Sequence, residues 1–221
     1  MIMVHWENRP EESWKEFRFG QPYAEGLSRL KVEVLGATDF DPATLWQWGT
    51  MQASAVIGVL KACERAFGEE GQRVVREALI EVGRDVGRQL LQDMKIPEGV
   101  SEAELVSFMV TAINRVVYAS LEEPAIDSDR EVSFHITWCP HQDYYTAFDC
   151  RVQRYLVQGI IEAMQEKGYM GDWQVRFDCT IPAGAPTCHF ILWKATAEEK
   201  AEWERYTELL ERKALQLSER G

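Results

Sequence analysis

The sequence has 221 residues, 46% of them hydrophobic, and a formal net charge of −12. The apolar content excludes wholesale disorder, and the acidic balance disfavours nucleic acid as a partner because phosphate backbones repel a negative chain. No apolar run reaches the roughly 18 residues that a membrane-spanning helix needs, and the N-terminus has no secretion-signal pattern. We therefore expect a cytoplasmic protein without membrane partners, in which the five Cys stay reduced.

A long amphipathic helix is predicted after an irregular N-terminal segment, residues 1–40. Asp41-Pro42 is typical of a helix start, since Asp accepts free backbone N–H groups and Pro suits the first turn. The helix runs to about Phe67. Its spacing of three and four predicts a buried stripe of Trp48, Met51, Ala55, Val59, Ala62 and Ala66.

Two further helices follow. One covers roughly 71–94, where Gly83 and Gly87 form a notch that lets another helix approach closely. The next begins at Ser101, where Ser-Glu-Ala-Glu is a capping box, and continues to about Ser120. The segment LEEPAIDSDRE predicts a turn-rich connection. The three helices form a layer that is also our candidate surface for a homodimer.

The apolar period then changes from 3.6 to 2. Val132, Phe134, Ile136 and Trp138 alternate with polar residues, which predicts a half-buried strand that Pro140 ends. A helix is predicted over 143–167, two strands over 172–181 and 186–193, and a charged helix over 196–219. The helix over 143–167 has a polar face of Arg151, Arg154, Gln158 and Glu162.

The predicted fold class is therefore α+β. Three N-terminal helices precede a strand, a helix and a β-hairpin that form a small antiparallel sheet, and a C-terminal helix closes the chain. We expect one domain spanning 1–221, with its core in residues 41–193.

One register of the hairpin satisfies every apolar pair. If the turn is centred between Ala183 and Gly184, the pairs are Val175 with Leu192, Phe177 with Phe190, and Cys179 with Cys188. A slip of one residue would turn one apolar set to the wrong face. The register predicts that the two cysteines are cross-strand neighbours.

Reactive side chains are concentrated in the C-terminal half. Four of the five Cys and three of the four His lie between residues 135 and 189. In one interpretation, Cys139, Cys150, Cys179 and Cys188, with His141 as a substitute ligand, bind a soft metal such as zinc. The spacing contains no CxxC, so this depends on the tertiary fold.

Two other interpretations stay open. Cys150 is a candidate nucleophile, because a helix N-terminus and a following Arg favour a thiolate, with His141 or His189 as the base. Alternatively, the cysteines are small buried hydrophobic residues, which suits Cys63 well. His141 is the best functional histidine, since it lies at a strand exit. Aromatic residues such as Tyr145 line a pocket or belong to the core.

The runs FHITWCPHQDYYTAFDC and CTIPAGAPTCHFILW, in this order after LWQWGTMQ and FGEEGQRVVREALIEVGRDVGRQL, resemble the L-2-amino-thiazoline-4-carboxylic acid hydrolase-like family. The resemblance covers about residues 41–193, and Cys139, Cys150 and Cys188 match the cysteine positions of the family. It implies a hydrolase that opens a thiazoline ring to a carbamoyl-cysteine product. Together with the residue arguments above, this makes Cys150, His141 and Cys188 the candidate catalytic residues. The layout is also similar to V4R-type domains, which implies a non-catalytic module that binds a small molecule or zinc.

Overall fold

The computed structural model describes residues 24–41, 43–92, 94–114 and 120–218. Its helices are α1 (Ala24–Arg29), which continues as a π-helix over Leu30–Val34, α2 (Ala43–Phe67), α3 (Glu69–Leu91), α4 (Glu102–Ala112), α5 (Arg151–Glu166) and α6 (Ala197–Ser218). Its strands are β1 (Leu121–Ser128), β2 (Glu131–Trp138), β3 (Trp173–Cys179) and β4 (Cys188–Lys194). The α+β class is confirmed. No helix in these ranges is long and apolar enough to cross a membrane.

The four strands form one antiparallel sheet in the order β1-β2-β4-β3. Along β2, β3 and β4, apolar residues alternate with polar ones, as a sheet with one face in the core requires. Phe134 on β2 stacks on Phe190 of β4 with ring centroids 5.0 Å apart, and Phe177 of β3 contacts Phe190 from the other side. These three rings lie on the face of the sheet against which α4 and α5 pack.

The second layer depends on a close contact between α3 and α5. A Cβ on Gly83 would lie 2.2 Å from the backbone oxygen of Leu156, and a Cβ on Gly159 would lie 2.0 Å from that of Ile80. The two helix backbones therefore touch, which no side chain larger than hydrogen allows. The glycine notch is confirmed as an intramolecular packing feature.

The predicted polar face of α5 is buried. Arg151, Arg154 and Gln158 are each at most 2% exposed. The Arg154 guanidinium stacks over Trp203 of α6 at 4.1 Å, and it donates to the carbonyl of Val175 and to Thr207 Oγ1. Burial lowers the pKa of Arg154 to about 10. Helix α6 covers this face, so the charged C-terminal helix supplies aromatic rings and hydroxyls to a buried cation.

Several element predictions are wrong. Residues 24–34, expected to be irregular, are helical, whereas residues 1–23 lie outside the described part of the chain. The connection LEEPAIDSDRE contains strand β1, whose Pro124 is tolerated because β1 is an edge strand. Helix α5 begins at Arg151, and residues 143–150 before it form turns and irregular backbone.

The predicted buried stripe of α2 is exposed. Trp48 is 62% exposed, Met51 55% and Val59 58%, and the three alanines of the stripe are exposed as well. The buried side of α2 is instead formed by Ile57, Leu60 and Glu64. The helix is apolar on both sides, so periodicity alone could not select the side that faces the core.

The predicted pairing of Cys179 with Cys188 is also wrong. Val175 does pair with Leu192 and Phe177 with Phe190, but the register shifts after Phe177 and Cys179 lies opposite His189. Asp178 and Cys179 together oppose one residue of β4, which is the geometry of a β-bulge. The Asp178 carboxylate bonds the His189 ring at 3.0 Å beside it.

Candidate functional site

Three cysteines reach the same place from three elements. Cys139 follows the last residue of β2, Cys150 caps the N-terminus of α5, and Cys188 is the first residue of β4. Since Ile136 pairs with Cys188, the ends of β2 and β4 lie side by side under the first turn of α5. The fold thus brings together cysteines that are far apart in the sequence, on which the hypothesis of a shared cysteine site depended.

The three cysteines line a small cavity of about 40 Å³. A volume of that size holds a few water molecules. The other lining residues are Asn114, Ser120, Phe134, Ile136, His141, Tyr145, Gln153, Val157 and Phe190. None of the described lining residues is Lys or Arg, so the wall they form is apolar with a few neutral polar groups.

Cys150 and Cys188 form a hydrogen-bonded thiol pair. The interaction between the two thiols lowers the pKa of Cys188 and raises the pKa of Cys150 well above its ordinary value. The backbone N–H of Ile181 donates to Cys188 Sγ at 3.2 Å, so a thiolate is favoured on Cys188 and the shared proton on Cys150. Burial opposes the thiolate on Cys188 in part.

Cys139 is the third thiol of the cavity. Burial raises its pKa, although the backbone N–H of His141 donates to its sulfur at 3.4 Å. The turn that carries it is closed by Gln142, whose side-chain oxygen accepts from the Cys139 N–H at 3.1 Å. Cys139 is therefore a protonated neighbour of the Cys150–Cys188 pair.

His141 is 5% exposed, and burial lowers its pKa, so its imidazole is neutral at pH 7. Its ring stacks on Tyr145 with centroids 5.4 Å apart, and the Tyr145 hydroxyl accepts from Gln153 Nε2 at 2.9 Å. A neutral imidazole beside a thiol pair can accept a proton.

Three polar atoms of cavity residues are buried without a hydrogen-bond partner among the described residues. They are Asn114 Nδ2, His141 Nδ1 and Gln153 Oε1. A buried polar group that is left unpaired costs about 1–3 kcal/mol, so native proteins rarely keep three around one cavity without a partner such as water or a ligand. Their presence indicates a site for a small polar molecule.

Buried ion pairs hold the residues on both sides of Cys150. Asp149 accepts from Lys61 Nζ at 2.9 Å and from the Thr146 N–H at 2.7 Å, while Arg151 pairs with Glu64. Lys61 and Glu64 both belong to α2. Because charged groups at this depth are stable only when paired, α2 determines the position of the α5 N-terminus and of the thiol between Asp149 and Arg151.

The other predicted site residues lie elsewhere. The Cys179 thiol donates to the carbonyl of Thr187 at 3.5 Å, and burial raises its pKa. His135 and His189 stack on each other at 4.2 Å on the opposite face of the sheet. Three of the four predicted metal-ligating cysteines thus share the cavity, and Cys179 does not. Across residues 24–41, 43–92, 94–114 and 120–218, no group of three or more His, Cys, Asp or Glu is placed to hold a metal ion. Zinc stays a prediction from the sequence.

Sequence reasoning missed Asn114, Gln153 and the backbone N–H of Ile181. Asn114 had a signal, because it follows the apolar run of α4 as a polar residue on a buried side. Gln153 follows Val152 in the first turn of α5 without any periodic signal. The N–H of Ile181 is directed at Cys188 by a one-turn 3₁₀-helix, Ile181–Ala183. The sequence of this loop, IPAGAP, indicated only a turn between two strands.

Comparisons with known proteins identify a family, a similar protein sequence and similar solved structures. The model of the family described as L-2-amino-thiazoline-4-carboxylic acid hydrolase matches residues 48–192. An uncharacterized protein of Archaeoglobus fulgidus is 56% identical over 217 residues, which covers 96% of each chain. The fold is also compared with trafficking protein particle complex subunit 3 from Naegleria fowleri, crystallised covalently bound to palmitic acid. That match has a TM-score of 0.47 and 10% identity, and covers 67% of this chain and 95% of the other.

Proposed function

The chain belongs to the L-2-amino-thiazoline-4-carboxylic acid hydrolase family, and on this premise we propose that it hydrolyses a small cyclic amidine in the cavity lined by Cys188, Cys150 and His141. The observation that carries the proposal is the Cys150–Cys188 pair, in which two donors are directed at the Cys188 sulfur inside a cavity. Such an arrangement is typical of an activated thiol nucleophile.

The chemistry follows from the positions of these groups. The Cys188 thiolate attacks the amidine carbon, and the ring carbon–sulfur bond breaks. The released sulfur takes a proton from Cys150, which leaves an isothiourea on Cys188. Water then attacks the same carbon, neutral His141 accepts its proton, and the bond to Cys188 breaks to restore the Cys188 thiolate. His141 passes that proton to Cys150, which restores the starting protonation state. One water is added in total, and a thiazoline yields a carbamoyl product with a free thiol.

The polar groups of the cavity suit an amidine. Gln153 Oε1 is an acceptor for an N–H of the substrate, and Asn114 Nδ2 is a donor for a ring heteroatom or for the oxygen that develops. Because the described wall has no cationic side chain that would hold a carboxylate, we propose that the amidine end enters the cavity. A carboxylate, if the substrate has one, stays towards the entrance.

A non-catalytic module that binds a small molecule is the second candidate. One observation favours it, which is that a bound polar molecule would satisfy Asn114 Nδ2, His141 Nδ1 and Gln153 Oε1 without any reaction. In this case a ligand raises the melting temperature without being consumed.

Incubation of the purified protein with 2-amino-thiazoline-4-carboxylate separates the two candidates. The proposal predicts a product heavier by one water and one new thiol per turnover, and loss of both in Cys188→Ala. Cys179→Ala is the matched control, since Cys179 lies outside the cavity, and it keeps the activity. A thermal shift with no product would favour the binding module.

A further inference from the structure

The stripe of α2 formed by Trp48, Met51, Ala55, Val59, Ala62 and Ala66 is not covered by any described residue. The opposite side of the same helix is buried against the body of the protein through Ile57 and Leu60. A helix that is apolar on all sides is normally buried on all sides. We therefore expect another apolar surface to pack against the stripe.

The charge distribution indicates what covers it. The chain has a net charge of −12, so two copies repel each other over most of their surfaces. Residues 43–60 of α2 form an 18-residue run without any charged side chain. By contrast, the exposed face of α3 is occupied by pairs such as Arg73–Glu77 and Arg88–Asp85. The stripe is thus a place where two copies can approach without repulsion.

The sizes of the side chains are self-complementary in one orientation. Large residues, Trp48 and Met51, lie near the N-terminal end of the stripe, and small ones, Ala62 and Ala66, near its C-terminal end. Consider two copies packed antiparallel through the stripe, with a two-fold axis that crosses the helices at the level of residue 57. This arrangement places Trp48 opposite Ala66, Met51 opposite Ala62 and Ala55 opposite Val59. A parallel pair would place Trp48 on Trp48. Large against small is the pattern that lets helices pack closely.

The available area fits an interface. At about 150–250 Å² per large apolar side chain, the exposed fractions of the stripe, with the neighbouring Val56 at 36% and Phe67 at 68%, correspond to an apolar surface on the order of 500–600 Å². One partner in a standard interface buries about 800 Å², of which the rim is polar.

We propose that the α2 stripe is the interface of a homodimer, in which the α2 helices of two copies of this chain pack antiparallel. The two α2 helices form the centre of the assembly. Through Lys61 and Glu64, on the other side of each helix, they support the α5 N-terminus that carries Cys150.

The native mass and a pair of matched variants test the proposal on the full chain. At micromolar concentration, sedimentation analysis is expected to give twice the chain mass of 25.4 kDa. Val59→Glu, in the centre of the stripe, is expected to give a folded monomer with unchanged helical circular dichroism. Ser54→Glu, exposed on the same helix but off the stripe, keeps the dimer. A native mass of 25.4 kDa, or a Val59→Glu dimer as stable as the wild type, would overturn it.

Cross-linking tests the orientation without destabilising the fold. In the antiparallel pair, position 52 of one copy lies near the natural Cys63 of the other. Gln52→Cys treated with a short bis-maleimide is expected to give a covalent dimer joined between positions 52 and 63, and Ser54→Cys is not. Links between position 52 of one copy and position 52 of the other would show a parallel pair and overturn the antiparallel assignment.

Discussion

The thiol of Cys150, at the N-terminus of α5, is hydrogen-bonded with the thiol of Cys188, at the start of β4, and the Ile181 N–H also donates to the Cys188 sulfur. The two residues are 38 positions apart in the sequence and are brought together by the pairing of Ile136 with Cys188 below α5. The bond makes the two thiols unequal, because the proton stays on Cys150 and negative charge is favoured on Cys188. This inequality assigns the nucleophile to Cys188 and the proton donor to Cys150 in our proposal.

Replacement of Cys150 is expected to make Cys188 less acidic. The pKa of Cys188 lies below the ordinary thiol value mainly because Cys150 donates to it, so Cys150→Ala moves thiolate formation to higher pH. Titration of the thiolate ultraviolet absorbance measures this, with Cys188→Ser to identify the step. Cys179→Ala should leave the step in place. An unchanged first step in Cys150→Ala would show that the hydrogen bond does not tune Cys188.

Replacement of His141 by Phe is expected to increase stability and abolish hydrolysis. At pH 7 the substitution removes a buried nitrogen that lacks a partner among the described residues, which is worth about 1–3 kcal/mol. Urea unfolding measures the gain, and the cyclic-amidine assay measures the loss. A structural histidine would show the reverse, with lower stability and retained turnover.

The same variant has a signature in its pH dependence. Burial holds the pKa of His141 in the folded protein below its ordinary value of about 6.5. As the pH falls below that value, the unfolded chain binds a proton that the folded chain does not, so stability decreases towards the folded pKa. We expect wild type to lose more stability than His141→Phe between pH 7 and pH 5. His135, whose pKa is also lowered by burial, contributes equally in both proteins.

Substitution of only one partner of the buried Glu64–Arg151 ion pair is expected to lower the free energy of unfolding strongly. Glu64→Gln leaves the buried Arg151 charge without its principal partner and should lower the unfolding free energy by about 3–5 kcal/mol. The double variant Glu64→Met with Arg151→Met should lose less than the sum of the single changes. A denaturation double-mutant cycle measures the coupling, and additive effects would mean that the two groups act separately.

The contact between α3 and α5 predicts opposite effects for two glycines. Gly159→Ala places a Cβ against the Ile80 backbone and should destabilise by at least about 1–3 kcal/mol. Gly49→Ala, also within a helix, meets no described residue within 4 Å and should stabilise by up to about 1 kcal/mol. Thermal unfolding of both variants checks the pair. Equal effects would mean that helix propensity, and not the close approach, decides the outcome at Gly159.

The sequence predicted the elements that depend on local chemistry. The capping box at Ser101 is present with both of its hydrogen bonds, because it needs only residues three apart. The alternation in β2 and the pairing of Phe177 with Phe190 also hold, since each follows from a two-residue period with one buried face. The α+β class follows from the change of period alone.

The errors arise where tertiary contacts override a local pattern. One extra residue at Asp178 moves Cys179 opposite His189, and no local feature announces such a bulge. Strand β1 was not predicted because it contains Pro124. A proline is accepted in a strand at the edge of a sheet, and the position of β1 at the edge is known only from the folded chain. The sequence proposed Cys150, Cys188 and His141 as site residues, but only the folded chain shows that they line one cavity together with Asn114.

The most direct test of Cys188 as the nucleophile is the mass of the protein trapped during turnover. Attack by Cys188 with ring opening loses no atom, so acid quench of a reaction with 2-amino-thiazoline-4-carboxylate should leave an adduct of the whole substrate mass on the peptide that contains Cys188. The adduct should be absent in Cys188→Ser and present in Cys179→Ser. Steady turnover by Cys188→Ser, with no adduct on the wild-type protein, would contradict the account.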